Sequence, residues 1–312
     1  MAAANGDSAM FRLSPPLAES SGRVRQRSIS AIFVVAGGLL PALFGGPIWA
    51  MTVALVATLG LAEFHSLCRA IDIKPLRVGY VALWWGCLAA AAGWNEAALV
   101  GASALAIGLA SLAVLIRQNA PGSLSAWSAE LAGSVYLTIP AIAAIQLRLF
   151  DGVVLSGWVG DVTDLFSLGW ASHARGFAWL AFVISVTWLG DTGAYLVGRS
   201  FGRHSLIPAI SPKKTIEGLI GGLTTGVLSG LIANELLGLD LPILAAAGAA
   251  LVLSALGMVG DLVESLLKRQ AQVKDSGRLI PGHGGMLDRI DALLFTWTAG
   301  WYLAILCDRA WR

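Results

Sequence analysis

Runs of mostly apolar residues, each close to 20 long, recur along this chain with short polar breaks between them. A helix rises 1.5 Å per residue, so a run of about 20 residues crosses the roughly 30 Å hydrocarbon core of a bilayer. Nine such runs are readable, at 28–45, 46–64, 78–94, 96–116, 129–150, 176–198, 217–237, 241–263 and 289–307. The first two are parted only by Gly45-Gly46-Pro47, a tight-turn signal. The pattern predicts an all-α, polytopic integral membrane protein with about nine transmembrane helices. Residues 1–28 are polar, with Pro15, Pro16 and several serines, and lack the early charged and apolar regions of a signal peptide. They are expected to form a disordered cytoplasmic tail. Residues 29–175 would then be N-terminal transmembrane helices and 176–312 a C-terminal catalytic transmembrane region.

Composition agrees. Of 312 residues, 56% are hydrophobic and 13% charged, against roughly 25% charged in soluble domains. A soluble fold of this size could not hide so much apolar surface. The longest polar loops run to 25 residues, so any chemistry must be built from helix ends and loops. The net charge of +2 says nothing about partners. Cys68, Cys87 and Cys307 stand alone in or beside apolar runs and read as small packing residues. Orientation follows from Lys and Arg in short loops. Arg23, Arg25 and Arg27 precede the first run, which puts the N-terminus in the cytoplasm. Alternation then assigns the basic loops 65–77, 117–128, 199–216 and 264–288 to that side.

Ionisable residues inside membrane runs are rare and usually functional. Here they gather. Asp191 lies in "TWLGDTGAYLVG", Asp261 and Glu264 in "GDLVESLLKR", and Asp288 and Asp291 in "LDRID". By the expected topology all five carboxylates share the cytoplasmic end. Asp288 and Asp291 are three apart and share a helix face, as do Asp261 and Glu264. Facing carboxylates of this kind suit Mg²⁺, which takes one or two carboxylates together with substrate phosphates and water. Ion pairs with neighbouring Lys or Arg are the plainer alternative.

Cations gather too. Segments 199–217 and 264–291 hold nine of the 21 Lys and Arg residues. "ISPKKTIEG" delivers Lys213 and Lys214 from a Pro-containing turn just before a run. "PGHGGMLDRID" leads a Gly-rich turn into a helix, where backbone N–H groups and the helix N-terminus could hold a phosphate. The candidate substrate is a polyphosphate held with Mg²⁺ at the cytoplasmic surface, meeting a second substrate from the lipid. His283 is expected to position phosphate or brace the loop rather than act as a general acid or base. His65, His173 and His204 have no partner visible in sequence and are expected at the surface. Gly221, Gly222, Gly226 and Gly230 are expected to let helices pack closely. No GxSxG, HExxH or Walker pattern is present, which argues against a serine hydrolase, a zinc protease and a P-loop ATPase.

The stretch "SLLKRQAQVKDSGRLIPGHGGMLDRID", Ser265 to Asp291, resembles the signature of phosphatidate cytidylyltransferases, also called CDP-diacylglycerol synthases. Ser265, Lys268, Arg269, Lys274, Asp275, Gly277, Pro281, His283, Gly284, Gly285, Asp288, Arg289 and Asp291 match its fixed positions. Upstream, Trp188, Asp191, Ala194-Tyr195, Gly198, Phe201-Gly202, "ISPKKTIEG" and Gly221-Gly222 are similar as well. The likeness runs from about 180 to 305; before that only the apolar runs agree. It implies transfer of the cytidylyl group of CTP to phosphatidate, giving CDP-diacylglycerol and pyrophosphate, with Mg²⁺, in phospholipid biosynthesis. It also implies a homodimer whose cytoplasm-facing site is reachable from the bilayer, and no nucleic-acid partner.

In that reading Asp261, Asp288 and Asp291 hold Mg²⁺ and, with Lys268, carry the catalysis. Asp191 either joins the metal or orients Lys213. Lys268, Arg269 and Lys274, with His283, Gly284 and Gly285, hold the triphosphate or pyrophosphate, and Arg289 is a further substrate-binding residue. Lys213 and Lys214 bind one of the two substrate phosphates, and Ser211 and Ser265 add hydrogen bonds. Two rival readings are a CTP-dependent polyprenol or phytol kinase, which would release CDP, and a lipid or ion transporter, which carboxylates midway through the bilayer would favour.

Overall fold

In the computed structural model, described over residues 37–117, 120–168, 172–279 and 284–311, the chain is helical almost throughout. A helical stretch over 37–44 (α1) leads into α2 (Gly46–Ala70), α3 (Gly79–Ala91), α4 (Asn95–Ile116), α5 (Ser123–Arg148), α6 (Gly157–Phe166) and α7 (Ala174–Phe201). A small hairpin follows, β1 (Ser205–Ile207) and β2 (Ser211–Thr215), and then α8 (Ile216–Leu237), α9 (Ile243–Gln270) and α10 (Leu287–Trp311). The expected tail and the start of the first run lie outside the described residues.

Among the described residues, seven helices are long and apolar enough to cross a membrane: α2, α4, α5, α7, α8, α9 and α10. The protein is therefore an all-α, multi-pass membrane protein. Where a span was expected over 78–94, α3 has 13 residues, about 20 Å of helix, and falls short of the hydrocarbon core. Gly93, with φ of +80°, turns the chain just beyond its end. The 151–175 loop contains α6, which the apolar pattern did not suggest. The Trp158 indole of α6 donates to the Leu236 carbonyl at 2.9 Å.

The turn expected around "ISPKKTIEG" is an antiparallel strand pair, with Ser205 opposite Thr215 and Ile207 opposite Ser211. Pro212 is tolerated because a two-stranded ribbon has only edge strands. Thr215 then caps α8, its hydroxyl accepting from Gly218 N at 3.0 Å.

Helices α7 and α8 pack backbone to backbone through glycines. A Cβ at Gly222 would lie 2.9 Å from Ala194 Cβ and 3.1 Å from the Gly190 carbonyl. Side chains on Gly221, Gly226 or Gly230 would collide with Val197, Ser254 and Ala250. The packing role expected of these four glycines is what the structure contains.

A continuous apolar core runs from Ala42 to Cys307, and the three cysteines are free and buried. Arg148, 1% exposed, ties α1 to the segment that enters α7. Its guanidinium donates to the carbonyls of Ala42 (2.6 Å), Leu43 (3.2 Å), Ser172 (2.9 Å) and His173 (3.2 Å). An unpaired buried cation is costly, and four carbonyls satisfying its donor fork offset that cost.

His65 corrects a surface expectation. It is buried, with Nε2 3.5 Å from the buried Glu130. Glu130 also accepts from the backbone N–H groups of Arg77 and Gly79, both at 2.7 Å, at the start of α3. The partner lies 65 residues downstream of His65, beyond the reach of a local pattern.

Candidate active site

A cavity of about 680 Å³ opens at one end of the bundle. There the C-terminal ends of α7 and α9 meet the N-terminal ends of α8 and α10, with β2 beside them. Asp191, Asp261, Asp275, Asp288 and Asp291 line it, together with Arg199, Lys213, Lys214, Lys268 and Arg289. Eight residues given a site role from the sequence therefore meet in one space: Asp191, Lys213, Lys214, Asp261, Lys268, Asp288, Arg289 and Asp291.

Helix length explains their depth. α7 and α9 have 28 residues each, about 42 Å of helix against a core of roughly 30 Å. Asp191 and Asp261 lie ten and nine residues in from the helix ends at Phe201 and Gln270, or about 15 and 14 Å. A centred helix projects about 6 Å on each side, which leaves both carboxylates in the outer third of the hydrocarbon layer.

Acids and bases interleave. Lys214 Nζ lies 2.7 Å from Asp261 Oδ2 as an ion pair, while Ser265 Oγ donates to Asp261 Oδ1 at 3.3 Å. Lys268 bridges Asp288 Oδ1, at 2.7 Å, and Glu264 Oε2. Glu264 is fully buried, so it faces Lys268 and not the cavity. The shared helix face expected for Asp261 and Glu264 is thus split between two environments. Asp288 Oδ2 accepts three more bonds, from Ser276 N (2.9 Å), Ser276 Oγ (2.9 Å) and Gly285 N (2.8 Å). Among the described residues Asp191 and Asp291 make no ion pair; Asp291 Oδ1 accepts from Ala292 N at 2.8 Å.

The entry into α10 differs from expectation. The sequence suggested that its leading N–H groups hold a substrate phosphate. In the structure Gly285 N donates to Asp288, and Met286 N and Leu287 N donate to Glu63 at 2.9 and 2.8 Å. The anions at this helix start are the protein's own carboxylates. Glu63 belongs to α2, so only folding brings it there. Gly284 has φ of +83°, a backbone conformation that favours glycine. A Cβ on it would lie 2.7 Å from Asp288 Oδ2. His283 lies outside the described residues.

Other expected site residues stand off the cavity wall. Ser211 sits in β2. Arg269 Nε donates to the Ile210 carbonyl at 3.1 Å and ties α9 to the hairpin. Lys274 is exposed. Sequence reasoning missed Glu63, and it gave no site role to Arg199 or to Tyr195, which figures only in the family likeness. The last two are paired at i, i+4, with Arg199 donating to the Tyr195 hydroxyl at 2.9 Å. Glu63 did carry a signal, as a lone carboxylate in the apolar run "LGLAEFHSL".

Among the described residues no three His, Cys, Asp or Glu side chains are gathered closely enough to hold a metal by themselves. The donor set fits a different kind of site. Asp191 and Asp291 reach the cavity without a cationic partner among the described residues, and Asp261 and Asp288 reach it paired with Lys214 and Lys268. Hard oxygen donors in ones and twos suit Mg²⁺ completing its shell with phosphate and water.

The model of the cytidylyltransferase family matches residues 25–307. The chain belongs to that family. Over 161 residues it is 45% identical to a phosphatidate cytidylyltransferase of Staphylococcus epidermidis, 44% to one of Staphylococcus aureus and 38% to one of Staphylococcus haemolyticus. Each match takes in 52% of this chain and 62% of the relative, so this cytidylyltransferase-family chain covers less than two thirds of those relatives' length.

Proposed function

We propose that this protein transfers the cytidylyl group of CTP to phosphatidate, releasing pyrophosphate and leaving CDP-diacylglycerol in the membrane for phospholipid synthesis. One observation carries the reading: five carboxylates and five cations line a single cavity at the end of a membrane bundle. Cations alone would suit a simple anion site. The mixture suits a substrate that brings phosphates and a divalent metal together. The relatives' name, phosphatidate cytidylyltransferase, supports phosphatidate as acceptor and a cytidylyl group as the cargo, with CTP as the donor we infer.

A phosphatidate oxygen attacks the α-phosphorus of CTP. The bond from that phosphorus to the bridging oxygen breaks, and pyrophosphate carries the electron pair away. A phosphate monoester has its second pKa near about 6 and is largely ionised at neutral pH. The nucleophile therefore needs no base, in keeping with a cavity built of fixed charges. The barrier lies in bringing two anions together, which positioning and charge stabilisation lower.

Lys213, Lys214, Lys268 and Arg289 screen the phosphates from one another. Lys268 is held by both Asp288 and Glu264. Asp261, Asp288 and Asp291, with Asp191 beside them, would hold Mg²⁺, which when bound neutralises phosphate oxygens and the leaving group. The basic loops argue that the cavity faces the cytoplasm, where CTP is found.

The test is purified protein in detergent with α-labelled CTP, Mg²⁺ and phosphatidate micelles. Label should enter the lipid phase with stoichiometric pyrophosphate, and EDTA should stop both. Label left wholly in the aqueous phase, with folded protein, would reject the reading. Transfer of the γ-phosphate to a prenol instead would make the protein a kinase.

A further inference from the structure

Glu63 lies in α2, more than 200 residues before the segment it touches. Its Oε1 accepts from Met286 N at 2.9 Å. Its Oε2 accepts from Leu287 N at 2.8 Å and from Ser276 Oγ at 2.9 Å. The two backbone donors lead into α10, where N–H groups have no intrahelical partner, and a carboxylate there also meets the positive end of the helix dipole. The Ser276 hydroxyl lies 2.9 Å from both Glu63 Oε2 and Asp288 Oδ2, with one proton between them. Gly277 and Gly285 flank the same carboxylate, and a Cβ on either would run into the Glu63 side chain. Two glycines of the loop thus make room for Glu63.

We infer that Glu63 is a positioning residue for the cavity. From the N-terminal helices it fixes the first turn of α10, and so the directions in which Asp288 and Asp291 point. Its effect on turnover rests on the function proposed above; the clamp itself does not. Glu130 offers an internal comparison. Glu130, which is fully buried where Glu63 is half-buried, also binds the first N–H groups of a helix, α3, from another element. But α3 contributes no residue to the cavity. A carboxylate that serves only as a brace should behave like Glu130.

The experiment compares Glu63→Gln with Glu130→Gln in the full chain. Gln at 63 keeps the shape and replaces one acceptor oxygen with an NH₂ that faces a donor. Trypsin cleavage after Arg289, in the first turn of α10, should accelerate by about tenfold. The kcat should fall by about tenfold or more, with KM for CTP changed by less than about threefold. Ser276→Ala, which leaves both backbone bonds to Glu63, should give a smaller change in the same direction. Glu130→Gln should lower the unfolding midpoint and leave Arg289 cleavage and kcat alone. If Glu63→Gln behaves as Glu130→Gln does, the inference is overturned. Should Glu63→Gln fail to fold, Glu63→Asp and Ser276→Ala carry the same measurements. A wild-type protein that transfers no cytidylyl group would defeat the proposed function, while the rate of cleavage after Arg289 would still decide the clamp.

Discussion

Replacing Asp288 with Asn removes one charge and almost no volume, so its effect can be worked from contacts. Asp288 takes Lys268 Nζ at 2.7 Å on Oδ1 and three donors at 2.8–2.9 Å on Oδ2. Asn has one acceptor oxygen. Whichever way its amide turns, the NH₂ faces donors: the Lys268 ammonium in one orientation, Ser276 and Gly285 in the other. A hydrogen bond to a charged group contributes about 1.5–3 kcal/mol. Stripping a buried ion pair of one partner costs about 3–5 kcal/mol, but Lys268 keeps Glu264, so the lower figure applies. A loss of about 3 kcal/mol at the transition state lowers kcat by about 10²-fold. The loss of a metal ligand would add to this. The assay is transfer of α-labelled cytidylyl to phosphatidate, with Mg²⁺ titrated for each variant. Asp288→Asn should insert, purify and unfold cooperatively, yet turn over at least a hundredfold more slowly. Turnover within about threefold of wild type would refute both the Lys268 brace and the metal role.

Three further outcomes are expected. Lys214→Met frees Asp261 from its 2.7 Å ion pair and should raise KM for a phosphate-bearing substrate by about tenfold, as read from saturation curves for each. Lys274→Ala, outside the cavity wall, should disturb CTP saturation less than Lys268→Met does in the same assay. Gly222→Ala puts a Cβ 2.9 Å from Ala194 Cβ and should cost about 1–3 kcal/mol of stability, seen as a lower unfolding midpoint in detergent; an unchanged midpoint would mean that α7 and α8 can part at no cost.

The membrane bundle was legible in the sequence because lipid imposes a coarse rule: about 20 apolar residues per crossing. Seven expected spans became helices that meet it. The rule failed at 78–94, where composition suggests a span but Gly93 turns the chain after 13 residues of helix. The candidate chemistry was legible too, since Asp191, Asp261, Asp288 and Asp291 interrupt runs where charge is expensive. The glycines of α8 were legible as packing sites for a similar reason, their lack of a side chain.

Pairing was not legible. Glu264 and Lys268, four apart on α9, are local neighbours, but which lysine meets which carboxylate across helices depends on where they cross, and nothing local ties Lys214 to Asp261 or Lys268 to Asp288. The α10 N-terminus shows this most clearly. A Gly-rich turn entering a helix is an anion site by its backbone geometry alone, and that much a sequence reveals. Which anion fills it is decided by distance in space. Here Glu63, brought across by α2, reaches the N–H groups of Met286 and Leu287. Local chemistry made the site, and the tertiary fold chose its occupant.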